Sequence, residues 1–503
     1  MRHFKPELPL CGRDMLLERT LLSGGDMRLA VDPSTGRNMY RVPPRPENRE
    51  IWLSSSTASP ITKRGFDAAA QAFERWTQGS DSRVADWSAS VRKRLLRLFG
   101  VPGAEVVLCP SGTDAEMLVL ALALDRFGSG VTNIVLAPGE TGRGVPLAAA
   151  GYHTSSRTPL GAPYPAGKPS DPAFCADVEV ETVDIRESDG CPRSHSSMDA
   201  RVYKIASQAL RRGRGVILHC LDVSKTGLSA VPSSTITTLA VGNERCLVVL
   251  DACQLRCPAQ RIRDALAANQ IVIVTGSKFA GGPPFSGAVF LPRELASRLA
   301  AIRLPDGMGD YSALTDWPPA AHATLRPSLG RRGNPGLLLR WEAALAELEP
   351  FCAVPRTISD IVAAKFAFAV TEHVLTTRGL SLLDHRVAVE TCPTIVPIVT
   401  STCSGRPSAG ALVQAGLAGR TRRAGHAWQG RAFRLGQPVA IGRYEPIRVC
   451  LSAPQLTEIA HRVQTGETID RAFAPFDALL SDLFAKWAWL AKQVRDDGSA
   501  FRQ

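Results

Sequence analysis

The sequence lacks any apolar run long enough to cross a membrane. No stretch reaches about 18 consecutive apolar residues, the length that a membrane-spanning helix needs. The first thirty residues carry acidic and basic side chains from Lys5 onward, unlike the apolar core of a secretory signal. We therefore expect neither a membrane span nor a signal peptide, and a cytoplasmic location.

Lysine is scarce, and the basic side chains form no cluster in the sequence. The chain has 59 basic and 47 acidic residues, a formal net charge of +12, yet only ten of the basic residues are lysines. The arginines are dispersed, without a long basic run or an interleaved aromatic stripe. Nucleic-acid binding is therefore not the expected function, although the basic balance keeps it as an alternative.

Cysteine is present without the spacing of a metal site. None of the twelve cysteines forms a C-x-x-C pair, and Cys253 and Cys257 have no second half-site at zinc-ligand spacing. We expect reduced, mostly buried thiols and no bound metal.

The 503 residues divide into three predicted parts. Residues 1–50 are rich in turn formers and are predicted to form an N-terminal arm. Residues 51–335 alternate short apolar runs with helical stretches, which predicts a large α/β domain around a mostly parallel sheet buried on both faces. The runs lie at 106–108, 134–136, 216–218, 247–250, 271–274 and 288–290.

Residues 336–503 are predicted to form a smaller α+β domain. Its predicted elements are a helix at 337–349, strands at 394–399 and 447–451, a helix at 409–418 and helices from 454 onward. Two long Pro/Gly-rich loops are predicted at 155–175 and 303–335, and loops of this length usually serve a function or an interface.

Two polar turns follow predicted strands, at the edge where open α/β sheets bind ligands. Ser111, Gly112 and Thr113 open a helix, where N–H groups, hydroxyls and the helix dipole suit a phosphate. A plain helix N-cap is the alternative for this turn. Ser224 begins the second turn, Ser-Lys-Thr-Gly, which lacks the preceding glycines of a nucleotide-binding loop.

Two ionisable groups lie at the ends of buried strands. Asp251 follows the run 247–250, and a buried carboxylate needs a cation or a proton donor opposite it. Lys278 follows Thr275 and Ser277, and desolvation there lowers a lysine pKa, as an imine-forming amine requires. A salt bridge for Asp251 and a solvent-reaching side chain for Lys278 are the alternatives.

Together these segments resemble the fold-type I pyridoxal-phosphate enzymes, and within them the class V aminotransferase and cysteine desulfurase group. The similarity is patchy and extends over about residues 50–460. It implies pyridoxal 5′-phosphate as cofactor. It also implies an aspartate-aminotransferase-like large domain, with a seven-stranded, mostly parallel sheet between helices, and a small C-terminal domain.

The resemblance implies roles for individual residues. Lys278 is implied to bind the cofactor covalently, and Asp251 to pair with its ring nitrogen. Further cofactor contacts are implied for Ser111, Gly112, Thr113, Ser224, Cys253, Gln254, Thr275 and Ser277. Arg448 is implied to bind the substrate carboxylate, and Ser55 and Thr57 lie in the opening strand and turn beside the substrate.

Three departures from the group's pattern affect these roles. The stretch 139–142 stands where a histidine usually stacks on the cofactor, and His153 is either its substitute or a structural residue. Ser277 stands where a histidine usually precedes the lysine. Residues 430–447 lack the loop cysteine that a desulfurase needs, and Cys403 lies too early to replace it. Desulfuration therefore ranks below other reactions.

The expected function is a pyridoxal-phosphate enzyme that acts on the Cα-amine of an amino acid or related amine. An aminotransferase is the first expectation, since transamination is the most frequent reaction on this scaffold. A lyase that catalyses elimination, replacement or decarboxylation uses the same residues. The alternatives of another class are a non-catalytic ligand-binding protein and the basic nucleic-acid binder. The resemblance also implies a homodimer with shared active sites.

Overall fold

The computed structural model describes residues 10–78, 83–128, 130–161, 163–230, 239, 242–330, 333–383, 392–401, 410–420 and 428–496. Its strands are β1 (Glu50–Leu53), β2 (Glu105–Cys109), β3 (Val131–Leu136), β4 (Val178–Val183), β5 (Gly215–Leu221), β6 (Cys246–Ala252), β7 (Ile271–Thr275), β8 (Gly287–Leu291), β9 (Leu380–Leu382), β10 (Ile395–Thr400), β11 (Ala432–Leu435) and β12 (Ile447–Cys450). 

The helices are α1 (Leu10–Leu21), α2 (Lys63–Thr77), α3 (Arg83–Phe99), α4 (Gly112–Phe127), α5 (Val145–Ala149), α6 (Pro172–Cys175), α7 (His195–Arg211), α8 (Ala259–Ala267), α9 (Arg293–Ser297), α10 (His322–Leu329), α11 (Pro335–Cys352), α12 (Arg356–Thr376), α13 (Gly410–Ala418), α14 (Ala453–Gln464) and α15 (Ile469–Asp496). Within the described ranges, none of them is both long and apolar enough to cross a bilayer.

Seven strands form the central sheet, in the order β2-β8-β7-β6-β5-β3-β4. Strands β3 to β7 pair in parallel, whereas β8 is antiparallel to both of its neighbours, β2 and β7. The predicted seven-stranded, mostly parallel sheet is confirmed, and each predicted apolar run is one of its strands. The seventh, β4, carries no such run, because it is a partly buried edge strand in which apolar and polar residues alternate.

Both faces of this sheet are covered, which explains why its inner strands are almost wholly apolar. On β7, Val272 and Val274 belong to the core that contains α3, α7, α8 and α11. Ile271 and Ile273 face the opposite core, formed with α4 and the segment 299–329. Polar side chains therefore emerge where the strands end.

The segment 303–335 differs from the predicted loop. It contains three short 3₁₀ helices and α10, and Met308, Tyr311 and Trp317 are buried beside α4. Prolines separate these short helical turns, which makes the sequence look like a loop. The predicted loop at 155–175 contacts this segment: the Leu160 N–H donates to the Asp310 carbonyl at 2.9 Å.

The N-terminal arm is also more ordered than its turn-rich sequence predicts. Leu17 and Leu21, one helical turn apart on α1, are buried against α11. The fully buried Arg340 of α11 donates to the carbonyls of Leu21 and Ser23, both at 2.6 Å, and of Gly24 at 3.0 Å. The arm is thereby attached to the core of the large domain.

The C-terminal part contains a small antiparallel sheet, β12-β10-β9, packed against α12, α14 and α15. Strand β1 pairs in parallel with β11, so the first strand of the chain joins this part. The small α+β unit agrees with the expected fold, while the boundaries at 50/51 and 335/336 stay predictions. Cys403 and position 409 of the predicted helix 409–418 lie outside the described residues.

Candidate active site

The predicted site residues gather at the carboxyl ends of β5, β6 and β7 and at the start of α4. Asp251 is the penultimate residue of β6, and Thr275 is the last residue of β7. Asp251 raises the pKa of the Cys253 thiol and Lys278 lowers it, so both charges act on the same thiol. Two adjacent parallel strands thus bring the acid and the amine to one edge of the sheet.

The predicted phosphate turn caps α4. Ser111 is the N-cap, and its hydroxyl accepts the Asp114 N–H at 3.2 Å. An arginine from the N-terminal arm also contacts this turn. Arg28 donates from Nη1 to Thr113 Oγ1 at 3.2 Å and from Nη2 to Ser111 Oγ at 3.3 Å. The guanidinium is held by Asp26 and lies 4.9 Å from the centre of the Phe285 ring. The turn therefore combines hydroxyls, a helix N-terminus and a fixed cation.

Cys253 packs directly against this turn. A Cβ atom at Gly112 would lie 2.5 Å from Cys253 Sγ, so only glycine allows this approach. Burial raises the pKa of the Cys253 thiol well above its usual value, and Asp251 adds to the rise. Cys253 is therefore a neutral thiol that fills space and does not act as a nucleophile.

A buried pair of ionisable groups lies behind Asp251. His219 Nε2 is 3.1 Å from Glu116 Oε2, and both side chains are almost fully buried. Burial lowers the pKa of His219 to about 4 and raises the pKa of Glu116 well above its usual value, with Asp251 adding to the latter. Both shifts favour the neutral forms of these two groups.

The segment that carries Lys278 is fixed through its backbone. Ser59 donates from its N–H to the Ser277 carbonyl at 3.2 Å and from its hydroxyl to the Lys278 carbonyl at 2.8 Å. The Thr275 hydroxyl donates to the Cys253 carbonyl at 2.6 Å. Thr275 therefore joins the two strand ends, and the half-buried Lys278 side chain extends from a rigid support.

Gln254 and Arg448 retain unpaired polar atoms although they are buried. Gln254 donates from Nε2 to the Ser56 carbonyl at 3.0 Å, and its Oε1 has no partner. Arg448, fully buried on β12, donates from Nη2 to Thr57 Oγ1 at 3.0 Å, while Nε and Nη1 have no partner among the described residues. An unsatisfied buried guanidinium is costly, so these N–H groups indicate an anion site.

The structure pairs two of the predicted site residues with other protein groups. The Ser55 hydroxyl donates to the Leu451 carbonyl and accepts from Arg256 Nη2, both at 2.9 Å. Ser224 donates to Glu140 Oε2 at 2.9 Å. Glu140 also forms a buried ion pair with Arg186. These hydroxyls therefore hold neighbouring segments in place, and their direct contacts to cofactor or substrate stay predictions.

His153 lies in an aromatic cluster. Its Nδ1 is 2.6 Å from the Tyr311 hydroxyl, and its ring centre is 4.3 Å from that of Tyr164. Burial lowers its pKa, which favours the neutral imidazole. These contacts account for His153 as a structural residue. Its alternative role, stacking on the cofactor ring, stays a prediction.

Sequence reasoning missed three residues at this edge: Arg28, Lys225 and Glu140. Arg28 is 83 positions from Ser111, and nothing local in the arm indicates the contact. Lys225 follows Ser224 directly, and a lone lysine in a polar turn gives no signal of a site. Glu140 lies in the stretch 139–142, shortly after the apolar run of β3. An acidic residue at the end of such a run was the signal in the sequence, and the structure buries its side chain.

No protein-family model and no curated protein matches the sequence. Solved structures do match the fold. The chain is similar to the cysteine desulfurase CsdA of Escherichia coli, with 13% identity and a TM-score of 0.53, over 88% of this chain and 95% of that chain. It is also similar to a NifS-like protein, with 12% identity and a TM-score of 0.52, over 86% and 99% of the two chains.

These similarities confirm the predicted fold. The chain has the fold of these two proteins, the aspartate-aminotransferase-like fold that the resemblance implies. At these identities the comparison concerns the fold, so a functional argument depends on the chain's own residues.

The residues at this edge fit pyridoxal 5′-phosphate. The turn at Ser111 and Thr113, with Arg28, is the candidate phosphate site, where Arg28 donates to both hydroxyls and the Ser111 hydroxyl donates to Asp114 Oδ2. Gln254 is buried, and its Oε1 has no partner among the described residues. Asp251 and Lys278 supply the acid and the primary amine that this cofactor requires. Among the described residues, no group of three or more His, Cys, Asp or Glu side chains is arranged to hold a metal.

Proposed function

We propose that the protein is a pyridoxal-phosphate-dependent enzyme that acts on the Cα-amine of an amino acid, with transamination as its reaction. The observation that carries the proposal is the fully buried Arg448 with two unpaired N–H groups, close enough to Lys225 to lower its pKa. One short segment joins Arg448 to the lysine, since Thr57 accepts from Arg448 Nη2 and Ser59 donates to the carbonyls of Ser277 and Lys278. A ligand with a carboxylate at Arg448 and an amine at Lys278 is an amino acid.

When bound, pyridoxal phosphate supplies an aldehyde that condenses with amines and a ring that withdraws electrons from the substrate Cα. Ser111, Thr113 and Arg28 would hold its phosphate. Asp251 would hold the proton on its ring nitrogen, and the second N–H of Gln254 Nε2 would donate to its 3′ oxygen. Lys278 Nζ would anchor the cofactor and serve as the base that moves the proton at the substrate Cα.

Arg448 orients the substrate through its carboxylate. Its Nη2 is held by Thr57, and Nε and Nη1, which have no partner among the described residues, would be free to donate to a carboxylate. Because the guanidinium is buried and shielded from water, this contact also fixes the direction of the Cα–H bond relative to Lys278.

Desulfuration is disfavoured by the state of the nearby thiols. Burial raises the pKa of both Cys253 and Cys392, so neither supplies a thiolate at neutral pH. Residues 430–447 contain no cysteine. Elimination, replacement and decarboxylation use the same residues as transamination. Transamination is separated from these reactions by its half-reaction, in which one keto acid is released for each cofactor converted from its aldehyde to its amine form.

Absorption of the purified protein with added pyridoxal phosphate tests the proposal. We expect a visible band, and after borohydride reduction peptide mapping should place the cofactor on Lys278. Lys278→Ala should remove the band, whereas Lys225→Met, which also removes an amine at this site, should retain it. A protein that takes up no cofactor contradicts the proposed function, and labelling of Lys225 contradicts the assignment of Lys278.

We also propose a homodimer. The arm and the 155–164 segment meet beside the phosphate turn, where Met27 N–H lies 3.4 Å from Ser155 Oγ. Met27, Leu147 and Tyr164 of this region are each more than 40% exposed, with values of 45%, 41% and 46%. Exposed apolar side chains around a site support coverage by a second subunit. Light scattering that gives the mass of a monomer at assay concentrations contradicts this proposal.

A further inference from the structure

Helix α12 is apolar on two opposite faces. Val362 and Phe366 are fully buried in the core that α12 forms with the small sheet, α14 and α15. On the side turned away from this core, Ile361, Phe368 and Leu375 are 52%, 61% and 71% exposed. A surface helix ordinarily presents one apolar face to the core and a polar face to water. The second apolar face of α12 is therefore a candidate interaction surface.

The exposed side chains have the spacing of a helix–helix contact. Ile361, Phe368 and Leu375 follow one another at intervals of seven residues, and the exposed Ala364 and half-buried Thr371 lie between them. These alternating steps of three and four residues are the a and d positions of a heptad repeat. All five side chains therefore lie on one line along about four turns of the helix, here called the α12 stripe.

Lys365 and Glu372 flank the α12 stripe on one side, at equivalent positions of successive heptads. Glu372 is exposed and forms no ion pair with another described residue. Lys365 Nζ lies 2.6 Å from Asp470 Oδ1 of α15, and the Asp470 side chain is itself 78% exposed. The flank therefore carries one cation and one anion, about two helical turns apart. Two such flanks are complementary in charge when they run in opposite directions.

An antiparallel pair of α12 helices brings these charges together. In that arrangement equivalent flanking positions face each other, so Lys365 lies opposite Glu372 of the partner subunit, and the twofold axis repeats the pair. A shift by one heptad instead places Lys365 opposite the partner subunit's Lys365. A parallel pair needs Asp360 as the acid, and Arg356 already holds that carboxylate at 2.7 Å. The charges therefore favour one direction and one register.

Side-chain size agrees with the same register. It places Phe368 opposite Thr371 of the partner subunit, and Leu375 opposite the partner subunit's Ala364. A large side chain therefore meets a small one at each of these positions, which fills the space between two helices without a clash. The stripe is complementary to itself in size as well as in charge.

We propose that the α12 stripe is a self-association surface, on which the α12 helices of two copies of this chain pack antiparallel about a twofold axis. The occupant is a second copy because the stripe complements itself. The contact joins the C-terminal parts of two subunits and uses neither the arm nor the segment 155–164, which support the proposed homodimer. It is therefore independent of the proposed function, and it doubles whichever assembly forms without it.

Light scattering of the full chain, with and without a charge on the stripe, tests the proposal. Phe368→Glu should raise the dissociation constant of the contact at least about tenfold, so the mass falls to half that of the wild type at the same concentration. Tyr203→Glu is the matched control and should leave the mass unchanged, since Tyr203 is an aromatic residue of α7 that is 47% exposed. Because both side chains are largely exposed, both variants should fold, and far-UV circular dichroism checks this.

An exchange of the two flanking charges tests the register. Lys365→Glu and Glu372→Lys should each lower the mass at concentrations near the dissociation constant, because each places like charges opposite one another. The double variant restores opposite charges between the copies and should regain the wild-type mass. The contact with Asp470 is lost in Lys365→Glu and in the double variant alike, so recovery of the mass reports the contact between copies.

A mass that Phe368→Glu leaves unchanged overturns the proposal, and this is also the result expected if a different segment or a different protein covers the stripe. An equal loss of mass in Tyr203→Glu overturns it too, because the effect is then one of added charge alone. Failure of the double variant to recover, or recovery of Lys365→Glu by Asp360→Lys instead, overturns the antiparallel packing. None of these measurements needs bound cofactor, so they stand apart from the test of the proposed function.

Discussion

Arg28 offers a direct test of the proposed part of the N-terminal arm in cofactor binding. Arg28→Met removes the donors that lie 3.2 Å from Thr113 Oγ1 and 3.3 Å from Ser111 Oγ, while an unbranched side chain still covers Phe285. A hydrogen bond to a charged group contributes about 1.5–3 kcal/mol. Since Asp26 partly neutralises Arg28 and the Arg28 side chain is 21% exposed, the lower value applies. We therefore expect pyridoxal phosphate to bind about tenfold more weakly.

The assay compares pyridoxal phosphate with pyridoxal, which differ only in the phosphate. Dissociation constants are measured by the visible band for both compounds and both proteins. The ratio of the two constants isolates the phosphate contact, because any general damage to the site weakens both ligands alike. Arg37→Met is the matched control, since Arg37 lies on the same arm but pairs with Glu47 and Glu50.

Two results would refute the reasoning about Arg28. If Arg28→Met weakens both compounds equally, the residue acts by holding the arm and not by binding the phosphate. If neither constant changes, the phosphate lies out of reach of the guanidinium. A phosphate-specific loss in Arg37→Met would show that the arm as a whole, and not one side chain, sets the affinity.

Two further predictions concern the carboxyl groups of Asp251 and Asp316. Asp251→Ala should still bind cofactor but exchange the substrate Cα proton at least about a hundredfold more slowly, since the anion beside the ring nitrogen is lost. Proton NMR in deuterium oxide measures this rate, and near-normal exchange contradicts the role of Asp251. Burial raises the pKa of Asp316 from 3.8 to about 7. The folded state therefore binds this proton more tightly than the unfolded chain, and the carboxyl group lowers stability as pH rises from about 4 to about 7. Asp316→Asn stays neutral at both pH values. Its free energy of unfolding in urea, taken relative to that of the wild type, should therefore rise by about 2–3 kcal/mol from about pH 5 to about pH 8. An equal difference at both pH values would contradict the shift.

The sequence was sufficient to predict the sheet and the strand ends that carry Asp251 and Lys278. Strands buried on both faces appear as short apolar runs, and a charged residue at the end of such a run is conspicuous. The N-cap at Ser111 is likewise a local signal. These features depend on neighbours in sequence, which is why they were visible without a structure.

The remaining parts of the site depend on contacts between distant segments. Arg28 reaches Ser111 only because Arg340 anchors the arm, and no periodicity encodes that contact. The pairing of Glu140 with Arg186 joins the loops after two parallel strands. Neither residue type nor spacing selects these partners among the many arginines of the chain, so only the fold identifies them.

The substrate side of the site is assembled largely from the first and last strands of the chain. Arg448 lies on β12, and Thr57 follows β1, which pairs with β11. The cofactor side, with Asp251 and Lys278, belongs to the central sheet. In the proposed function, a substrate carboxylate on Arg448 would therefore connect the small sheet to the large one. An amine without a carboxylate would lack this connection and leave Nε and Nη1 of Arg448 unpaired, so the proposed site would favour amino acids by the same contact that aligns them with Lys278.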